Sequence, residues 1–250
     1  MAAGGASWFR GRAYLVTGAA RGIGRAIAAE LIEHGARVAL IDSDAKAGEA
    51  AAAELGEAAR FHAADVAIEA EVQAAVAAVT ARFGRLDGLV NNAGISRNRP
   101  LAELTLDDWN RVLAVNLTSV FLFARAAAPH LALAPDGGAI VNLASTRALM
   151  SEADTEAYSA SKGGIVALTH ALAVSLGPQV RVNCISPGWI HTKGPEPGAE
   201  DRAWHPAGRV GRVQDVAALA RFLLSGEAGF VTGANFTADG GVTRKMVYPD

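Results

Sequence analysis

Short apolar segments alternate with longer amphipathic or alanine-rich segments along the chain. The apolar segments are rich in Val, Ile, Leu and Ala, which is typical of strands buried in a parallel sheet. The repeated order of strand and helix predicts an α/β protein. Seven strands are predicted, at 12–17, 38–42, 59–64, 86–90, 138–144, 180–186 and 230–236.

The segments between these strands predict helices, with one exception. Helices are predicted at 25–34, 45–56, 69–83, 105–130, 157–176 and 214–224. Residues 189–208 contain three Pro and several Gly without periodicity, which predicts a mobile substrate loop or lid. We predict a flexible N-terminal arm at 1–10 and a single domain at 11–250, because 250 residues can bury a full core in one unit.

Composition and charge narrow the range of functions. Hydrophobic residues make up 51% of the chain, and its formal net charge is −2. Lysine and arginine are scattered, so we expect no partner among nucleic acids or anionic membranes. No apolar run reaches membrane-spanning length, and residues 1–7 lack a signal-peptide layout. The single cysteine, Cys184, lies in an apolar strand and predicts a buried, inert thiol. We therefore expect a cytoplasmic protein.

A glycine-rich loop joins the first strand to the first helix. Gly18, Gly22 and Gly24 have the spacing G-x-x-x-G-x-G, which allows a tight turn and places a pyrophosphate at the helix N-terminus. The second strand ends in Asp42, whose carboxylate is expected to bind the adenosine ribose and to repel a 2′-phosphate. This favours NAD over NADP, although the guanidinium of Arg21 could pair with that phosphate.

Several polar side chains that could take part in catalysis lie in the second half of the predicted sheet and its helices. Tyr158 and Lys162 are four residues apart in a predicted helix, so both emerge on one face. A neighbouring ammonium favours the phenolate and predicts a lowered pKa for Tyr158, as an acid–base group near neutral pH requires. Taken alone, such a pair is more often a surface feature. Ser145 follows the fifth strand, at the edge where chemistry gathers in open α/β sheets. Asn116 lies inside a predicted helix, which indicates either a local distortion or polar partner, or simply a side chain that faces solvent.

Together these residues resemble the short-chain dehydrogenase/reductase family in its compact single-domain form, over nearly the whole chain. The matching motifs are Thr17-Gly18-x-x-x-Gly22-x-Gly24, Asn91-Asn92-Ala93-Gly94, Asn116, Ser145, Tyr158-x-x-x-Lys162 and Pro187-Gly188. The resemblance implies a Rossmann-type, doubly wound, parallel seven-stranded sheet with helices on both faces. Ala144 departs from the pattern, because relatives often carry Ser there, and the loop after Pro187-Gly188 looks shorter than in relatives with long lids.

The resemblance also implies an NAD(H)-dependent oxidoreductase that transfers a hydride between nicotinamide and a secondary alcohol or ketone. A sugar, polyol or hydroxyacyl compound is the expected substrate. In this family the residue matching Tyr158 exchanges the substrate proton, and the residue matching Lys162 lowers the pKa of that phenol and holds the hydroxyls of the nicotinamide ribose. Ser145 is expected to bind the reacting oxygen, and Asn116 to hold a water that links Lys162 to solvent.

Further residues are assigned to the cofactor and the substrate on the same grounds. Asp65 and Val66 are expected to frame the adenine, and Ile190 and Thr192 to bind the carboxamide. No metal site is predicted. The full cofactor set is Gly18, Arg21, Gly22, Ile23, Gly24, Asp42, Asp65, Val66, Asn92, Ala93, Gly94, Tyr158, Lys162, Pro187, Gly188, Ile190 and Thr192. The predicted substrate residues are Ser145, Arg147, Glu152, Trp189 and His191.

Other functions share parts of this pattern. An NAD(H)-binding regulator without turnover would be expected to have lost a catalytic residue, and a 3-oxoacyl-thioester reductase using NADPH stays open. An enoyl reductase would use a wider spacing than that of Tyr158 and Lys162, and a nucleotide-sugar epimerase a larger C-terminal region. The helices at 109–131 and 157–176 are apolar on more than one face. In the family that the chain resembles, such helices and a tail like that at Gly240-Gly241 form subunit contacts, so the resemblance implies a homotetramer or homodimer.

Overall fold

A computed structural model describes residues 8–246 of the chain. Its strands are β1 (Ala13–Thr17), β2 (Arg37–Asp42), β3 (Ala59–Ala63), β4 (Gly88–Asn91), β5 (Gly138–Leu143), β6 (Val180–Pro187), β7 (Ile190–His191), β8 (Gly211–Arg212) and β9 (Asn235–Ala238). Seven of them form one sheet in the order β3-β2-β1-β4-β5-β6-β9, and all its pairs are parallel. The strands β7 and β8 form a separate parallel pair.

The helices connect successive strands of the sheet and cover both of its faces. They are α1 (Gly22–Glu33), α2 (Ala45–Leu55), α3 (Glu69–Phe83), α4 (Leu106–Leu113), α5 (Ser119–Leu131), α6 (Glu156–Leu176), α7 (Ala199–Trp204) and α8 (Val213–Leu224). A π-helical turn, Ala114–Thr118, joins α4 to α5. Short 3₁₀ turns lie at Thr146–Ala148, Gly226–Ala228 and Val242–Arg244.

Two apolar clusters lie on opposite faces of the sheet, and β1 contributes to both. Tyr14 and Val16 pack in the cluster that contains residues of α1 and α8. Leu15, which points to the other face, packs in the cluster that contains residues of α3 and α5. Every residue of β1 is buried because helices cover both faces. The predicted single-domain, doubly wound, seven-stranded Rossmann-type fold is therefore confirmed.

The strand order reverses at β1, which is hydrogen-bonded to β2 on one side and to β4 on the other. Such a reversal opens a crevice at the carboxyl ends of the strands, where ligands bind in open α/β sheets. The loops after β1, β4, β5 and β6 carry the motifs that the sequence indicates.

The prediction of a flexible arm at 1–10 is wrong for residues 8–10, while residues 1–7 lie outside the described part of the chain. Phe9 is fully buried, and its ring lies 5.6 Å from the ring of Tyr14. The guanidinium of Arg12 stacks 3.8 Å above the ring of Trp8. These aromatic side chains close one end of the cluster beneath α1 and α8.

Two other segments differ from the prediction. The last strand begins at Asn235, not at Phe230, whose side chain is fully exposed. Gly233, with a φ of +73°, interrupts the extended conformation between them. The substrate loop at 189–208 is also less irregular than expected, because it contains β7 and α7.

The helical stretch Leu106–Leu131 is long and apolar enough to cross a membrane by length and composition, contrary to the sequence-based expectation. Half of its most apolar window is buried inside the fold. Its residues Leu122, Phe123 and Ala127 belong to the apolar cluster against the sheet. Packing in the core thus accounts for the apolar residues in the buried half of this window.

Candidate active site

The glycine loop between β1 and α1 is packed tightly against the end of β4. A Cβ on Gly18 would lie 2.8 Å from the Cα of Ala93, and a Cβ on Gly24 would lie 2.3 Å from the main-chain oxygen of Gly18. Gly22 has a φ of +57°, which only glycine adopts without strain, and it begins α1. The loop thus leaves the N-terminus of α1 facing the crevice, where its N–H groups can bind an anion.

Thr17 ties the glycine loop to β4. Its Oγ1 accepts hydrogen bonds from the main-chain N–H groups of Asn92 (2.9 Å) and Ala93 (3.1 Å). The side-chain amide of Asn92 donates in return to the carbonyl oxygens of Thr17 (2.9 Å) and Gly18 (3.0 Å). Sequence reasoning placed Thr17 in the motif but did not assign it this bracing role.

A cavity of about 390 Å³ opens beside the glycine loop, at the ends of β1, β2 and β3. Asp42 lines it and accepts hydrogen bonds from the N–H groups of Ala20 and Asp44, each at 3.1 Å. The guanidinium of Arg21 is bound to the carboxylate of Asp44 at 2.5 Å. The cavity is lined by Gly18, Arg21, Asp42, Ser43, Ala64, Asp65, Val66, Asn92, Ala93, Gly94, Ile95, Arg111 and Val115.

Asp65, which was predicted to frame the adenine, is fixed on the far wall of this cavity. Burial raises the pKa of its carboxyl, but hydrogen bonds from the N–H of Ala67 and from Arg111 outweigh it and hold that pKa below the usual range. Arg111 donates to the Asp65 carboxylate at 2.8 Å. Arg111 is a wall residue that sequence reasoning missed, because a single arginine on an amphipathic helix gives no signal of its own in the sequence.

A second cavity, of about 360 Å³, lies at the ends of β4, β5 and β6. Tyr158 and Lys162 reach it from α6, and Ser145 reaches it from the end of β5. It is lined by Ile23, Asn92, Gly94, Ile95, Ser96, Leu143, Ala144, Ser145, Tyr158, Lys162, Pro187, Gly188 and Ile190. Thr192, the remaining predicted carboxamide ligand, is exposed and lies above Gly22 of the glycine loop.

Lys162 is buried beneath this cavity. Its ammonium donates to the main-chain oxygen of Leu143 at 2.8 Å, and burial lowers its pKa to about 8. A Cβ on Gly94 would lie 3.6 Å from the Lys162 Nζ and 3.5 Å from the Oδ1 of Asn116. Gly94 therefore lies directly beside both polar groups.

The pKa of Tyr158 differs from the sequence-based expectation. Burial raises the pKa of this phenol, while hydrogen bonding with Ser145 and the charge of Arg147 act to lower it. The Lys162 Nζ lies 5.5 Å from the centre of the Tyr158 ring and is directed at Leu143. The net shift of the Tyr158 pKa is upward, so the predicted lowering of this pKa is wrong.

Asn116 lies in the π-helical turn and is fully buried. Its Oδ1 accepts from the N–H of Ile95 (2.8 Å), and its Nδ2 donates to the Ile95 oxygen (2.9 Å) and to the Ser161 hydroxyl (3.0 Å). The predicted distortion with polar partners is confirmed. The predicted relay water between Asn116 and Lys162 stays a prediction.

The predicted substrate residues do not all lie together. Arg147 and Glu152 form an ion pair beside the Tyr158 cavity, whereas Trp189 is half exposed, with its ring 6.0 Å from that of His205. His191 lines a different cavity of about 280 Å³, between β7 and the start of α8.

Cys184 is buried, and burial raises the pKa of its thiol to about 11, as expected for an inert group.

The two cavities at the strand ends share Asn92, Gly94 and Ile95 and form one trough. The carboxylate of Asp42 at one end and the close-packed glycine loop between the ends fit a dinucleotide cofactor. The phenol of Tyr158 lies at the opposite end. Fold and trough together define a Rossmann-type, dinucleotide-binding oxidoreductase.

Comparison with known proteins identifies the family. A family model described as enoyl-(acyl carrier protein) reductase matches residues 18–243. An uncharacterised oxidoreductase of Thermotoga maritima is 45% identical over 96% of this chain and 99% of its own length. The D-threitol dehydrogenase of Mycolicibacterium smegmatis is 45% identical, over 94% of each chain. The apo SCOR enzyme of Clostridium thermocellum superposes with a TM-score of 0.89 at 40% identity, covering 95% of both chains. The chain belongs to the short-chain dehydrogenase/reductase family.

Proposed function

We propose that this protein is an NAD-dependent dehydrogenase that interconverts a secondary alcohol and its ketone. The observation that carries this proposal is the convergence of Tyr158, Ser145 and Lys162 in one cavity that continues into the dinucleotide trough. A nicotinamide ring bound there supplies the hydride acceptor or donor. A protein that only binds the dinucleotide does not require a buried phenol and a buried amine in the same cavity.

Tyr158, Ser145 and Lys162 have different roles in the proposed proton transfer. Tyr158, as phenolate, accepts the alcohol proton during oxidation and returns it during reduction. The Ser145 Oγ accepts a hydrogen bond from the N–H of Arg147 at 3.2 Å and lies in the same cavity as Tyr158, where its O–H can bind the reacting oxygen. Lys162, with its pKa lowered to about 8, can take up and release a proton near neutral pH beneath the phenol.

The preference for NAD over NADP is supported by the charges at the adenosine end. The Asp42 carboxylate lines this end and would repel a 2′-phosphate. Both arginines that line the same cavity are engaged by carboxylates, Arg21 by Asp44 and Arg111 by Asp65. The guanidinium of Arg21, which could otherwise pair with the 2′-phosphate of NADP, is therefore already paired with a carboxylate.

We propose a small polar secondary alcohol, of the polyol or sugar type, as substrate. The hydroxyl groups of Ser96, Ser145 and Tyr158 line the cavity, and they can pair with hydroxyl groups of a polyol. The name of the D-threitol dehydrogenase relative agrees with this class. The spacing of Tyr158 and Lys162 disfavours the enoyl reduction that the description of the family model names.

Two further features of the proposal concern assembly and location. Phe121 on α5 is 43% exposed and Val174 on α6 is 84% exposed, which favours burial of these helices in a homotetramer or homodimer. Size-exclusion chromatography with light scattering measures this state. We also propose that the protein acts in the cytoplasm, and fractionation of the source cells tests this.

The proposed function is tested by a substrate panel. Purified protein is mixed with NAD or NADP and with tetritols, hexitols, aldoses, simple secondary alcohols or 3-hydroxyacyl thioesters, and NAD(P)H absorbance is followed. We expect NAD reduction with at least one secondary alcohol, and the corresponding ketone should be reduced by NADH. Absence of turnover across the panel with both cofactors, in protein that binds NADH, would favour a binding-only protein.

A further inference from the structure

The segment expected to bind the nicotinamide carboxamide lies outside the main sheet. Ile190 belongs to β7, and Thr192 directly follows the end of this strand. Ile190 lines the cavity that contains Tyr158, and the Thr192 Cγ2 lies 3.7 Å from the position of a Cβ on Gly22. Because β7 pairs with β8 and not with the seven-stranded sheet, the position of β8 bears on both residues.

The contact between β7 and β8 is close. Gly211 of β8 is the register partner of Ile190, and its N–H donates to the main-chain oxygen of Trp189 at 3.1 Å. A Cβ on Gly211 would lie 2.4 Å from the Ile190 Cδ1. Since close-packed side chains transmit displacements, a shift of β8 towards β7 moves the Ile190 side chain at the wall of the Tyr158 cavity.

The carboxylate of Asp215 holds β8 from the first turn of α8. Its two oxygens accept parallel hydrogen bonds from the guanidinium of Arg209, at 2.6 and 2.7 Å. Asp215 also accepts from the main-chain N–H of Arg212, the last residue of β8, at 2.7 Å. One carboxylate therefore fixes both ends of the segment 209–212, which contains the strand. Bidentate pairs of this kind fix orientation as well as distance.

This ion pair contributes more to geometry than to overall stability. The side chains of Arg209 and Asp215 are 46% and 36% exposed, and ion pairs with such exposure stabilise a fold little. Hydrogen bonding from Arg209 holds the pKa of the Asp215 carboxyl below its usual range, so the carboxylate is charged at neutral pH. Loss of the Arg209 guanidinium is thus expected to free β8 without unfolding the protein.

We propose that Arg209 and Asp215 are positioning residues for the nicotinamide end of the cofactor, because their ion pair fixes β8 and β8 in turn fixes Ile190 and Thr192. Neither Arg209 nor Asp215 lines the two cavities of the trough. The inference rests on the cofactor binding of the proposed function and assigns to these residues an action through β7 rather than a contact with the cofactor.

Isothermal titration calorimetry with two ligands tests the proposal. NADH carries the nicotinamide, whereas ADP-ribose has the same adenosine and pyrophosphate without it. Arg209→Gln should raise the Kd of NADH by about fivefold, which corresponds to about 1 kcal/mol, the net contribution of one hydrogen bond. The Kd of ADP-ribose should stay unchanged. Gly211→Ala, whose Cβ displaces Ile190 directly, should have the same selective effect.

Two further variants separate geometry from charge and from general disturbance. Arg209→Lys keeps the positive charge but cannot donate two parallel hydrogen bonds, so it should also weaken NADH binding. Arg125→Gln breaks another partly exposed ion pair, with Glu69, and should leave both affinities unchanged. Arg209→Gln retains the hydrogen bond from Arg212 to Asp215 at the start of α8, and thermal unfolding verifies that each variant is folded.

An unchanged Kd of NADH in Arg209→Gln would overturn the proposal. Equal weakening of NADH and ADP-ribose would also overturn it, because that result identifies a charge effect or a general loosening of the trough. Failure of the proposed function is distinguishable from these outcomes. An unmodified protein that binds NADH but turns over no substrate contradicts the proposed function alone, whereas one that does not bind NADH contradicts both.

Discussion

Replacing Lys162 by methionine separates stability from catalysis in this site. Lys162 is buried, and burial lowers its pKa from 10.5 to about 8. At pH 7 the amine is charged in both the folded and the unfolded chain, so folding must bury the charge. Because a pKa shift of one unit corresponds to about 1.4 kcal/mol, burying this charge lowers the free energy of unfolding by about 3 kcal/mol.

Methionine has a similar length and carries no charge. The variant loses the hydrogen bond to the Leu143 oxygen, which offsets the gain by about 1 kcal/mol. Lys162→Met is therefore expected to be more stable than the parent protein by about 2 kcal/mol at pH 7, although it loses its proposed activity. The sign follows from the lowered pKa: the cost is fully present below pH 8 and is relieved as the pH rises towards 10.5.

Urea unfolding followed by far-UV circular dichroism, at a fixed protein concentration and between pH 7 and pH 10.5, measures this difference. The stability advantage of Lys162→Met should shrink steadily across that range. Lys193→Met, which replaces an exposed lysine, should show no comparable advantage. Equal or lower stability of Lys162→Met at pH 7, or an advantage that does not depend on pH, would refute the reasoning.

Three other predictions concern the cofactor and the phenol. Asp42→Ala should lower the ratio of kcat/KM for NAD over NADP by about tenfold or more, which is about 1.4 kcal/mol; an unchanged ratio would show that Asp42 does not set the preference. Gly24→Ala places a Cβ 2.3 Å from the Gly18 oxygen and 2.5 Å from the Asn92 Nδ2, so NADH affinity, measured by fluorescence, should fall while the fold persists. Because burial raises the pKa of Tyr158, alcohol oxidation should increase as the pH rises above neutral, and a flat profile would contradict this.

The fold could be predicted because the sequence pattern follows directly from burial. The continuous apolar segment of β1 is explained by helices on both faces of the sheet, and this relation holds for each central strand. The apolar residues Phe230 and Val231 misled the prediction of the last strand. Their segment is turned by Gly233, and Phe230 remains exposed.

The identities of the site residues were accessible from sequence, but their electrostatics were not. The spacing of Tyr158 and Lys162 correctly places both side chains in one cavity. It does not reveal that the ammonium is directed at Leu143, because that carbonyl belongs to a strand distant in sequence.

The buried interior position of Asn116 shows the opposite case, in which a local violation of a sequence rule was informative. Asn is unfavourable inside a helix because it competes for main-chain hydrogen bonds. Here it occupies a π-helical turn and braces Ile95, directly after the Asn-Ala-Gly segment that lines the trough. Departures from regular helix geometry of this kind occur frequently at functional sites.

The central claim is that Tyr158 exchanges the substrate proton at the end of a dinucleotide trough. The most direct test compares the unmodified protein with Tyr158→Phe, using NADH fluorescence for binding and the best alcohol of the panel for turnover. The account predicts that Tyr158→Phe still binds NADH and loses nearly all turnover. Turnover close to that of the unmodified protein would contradict it.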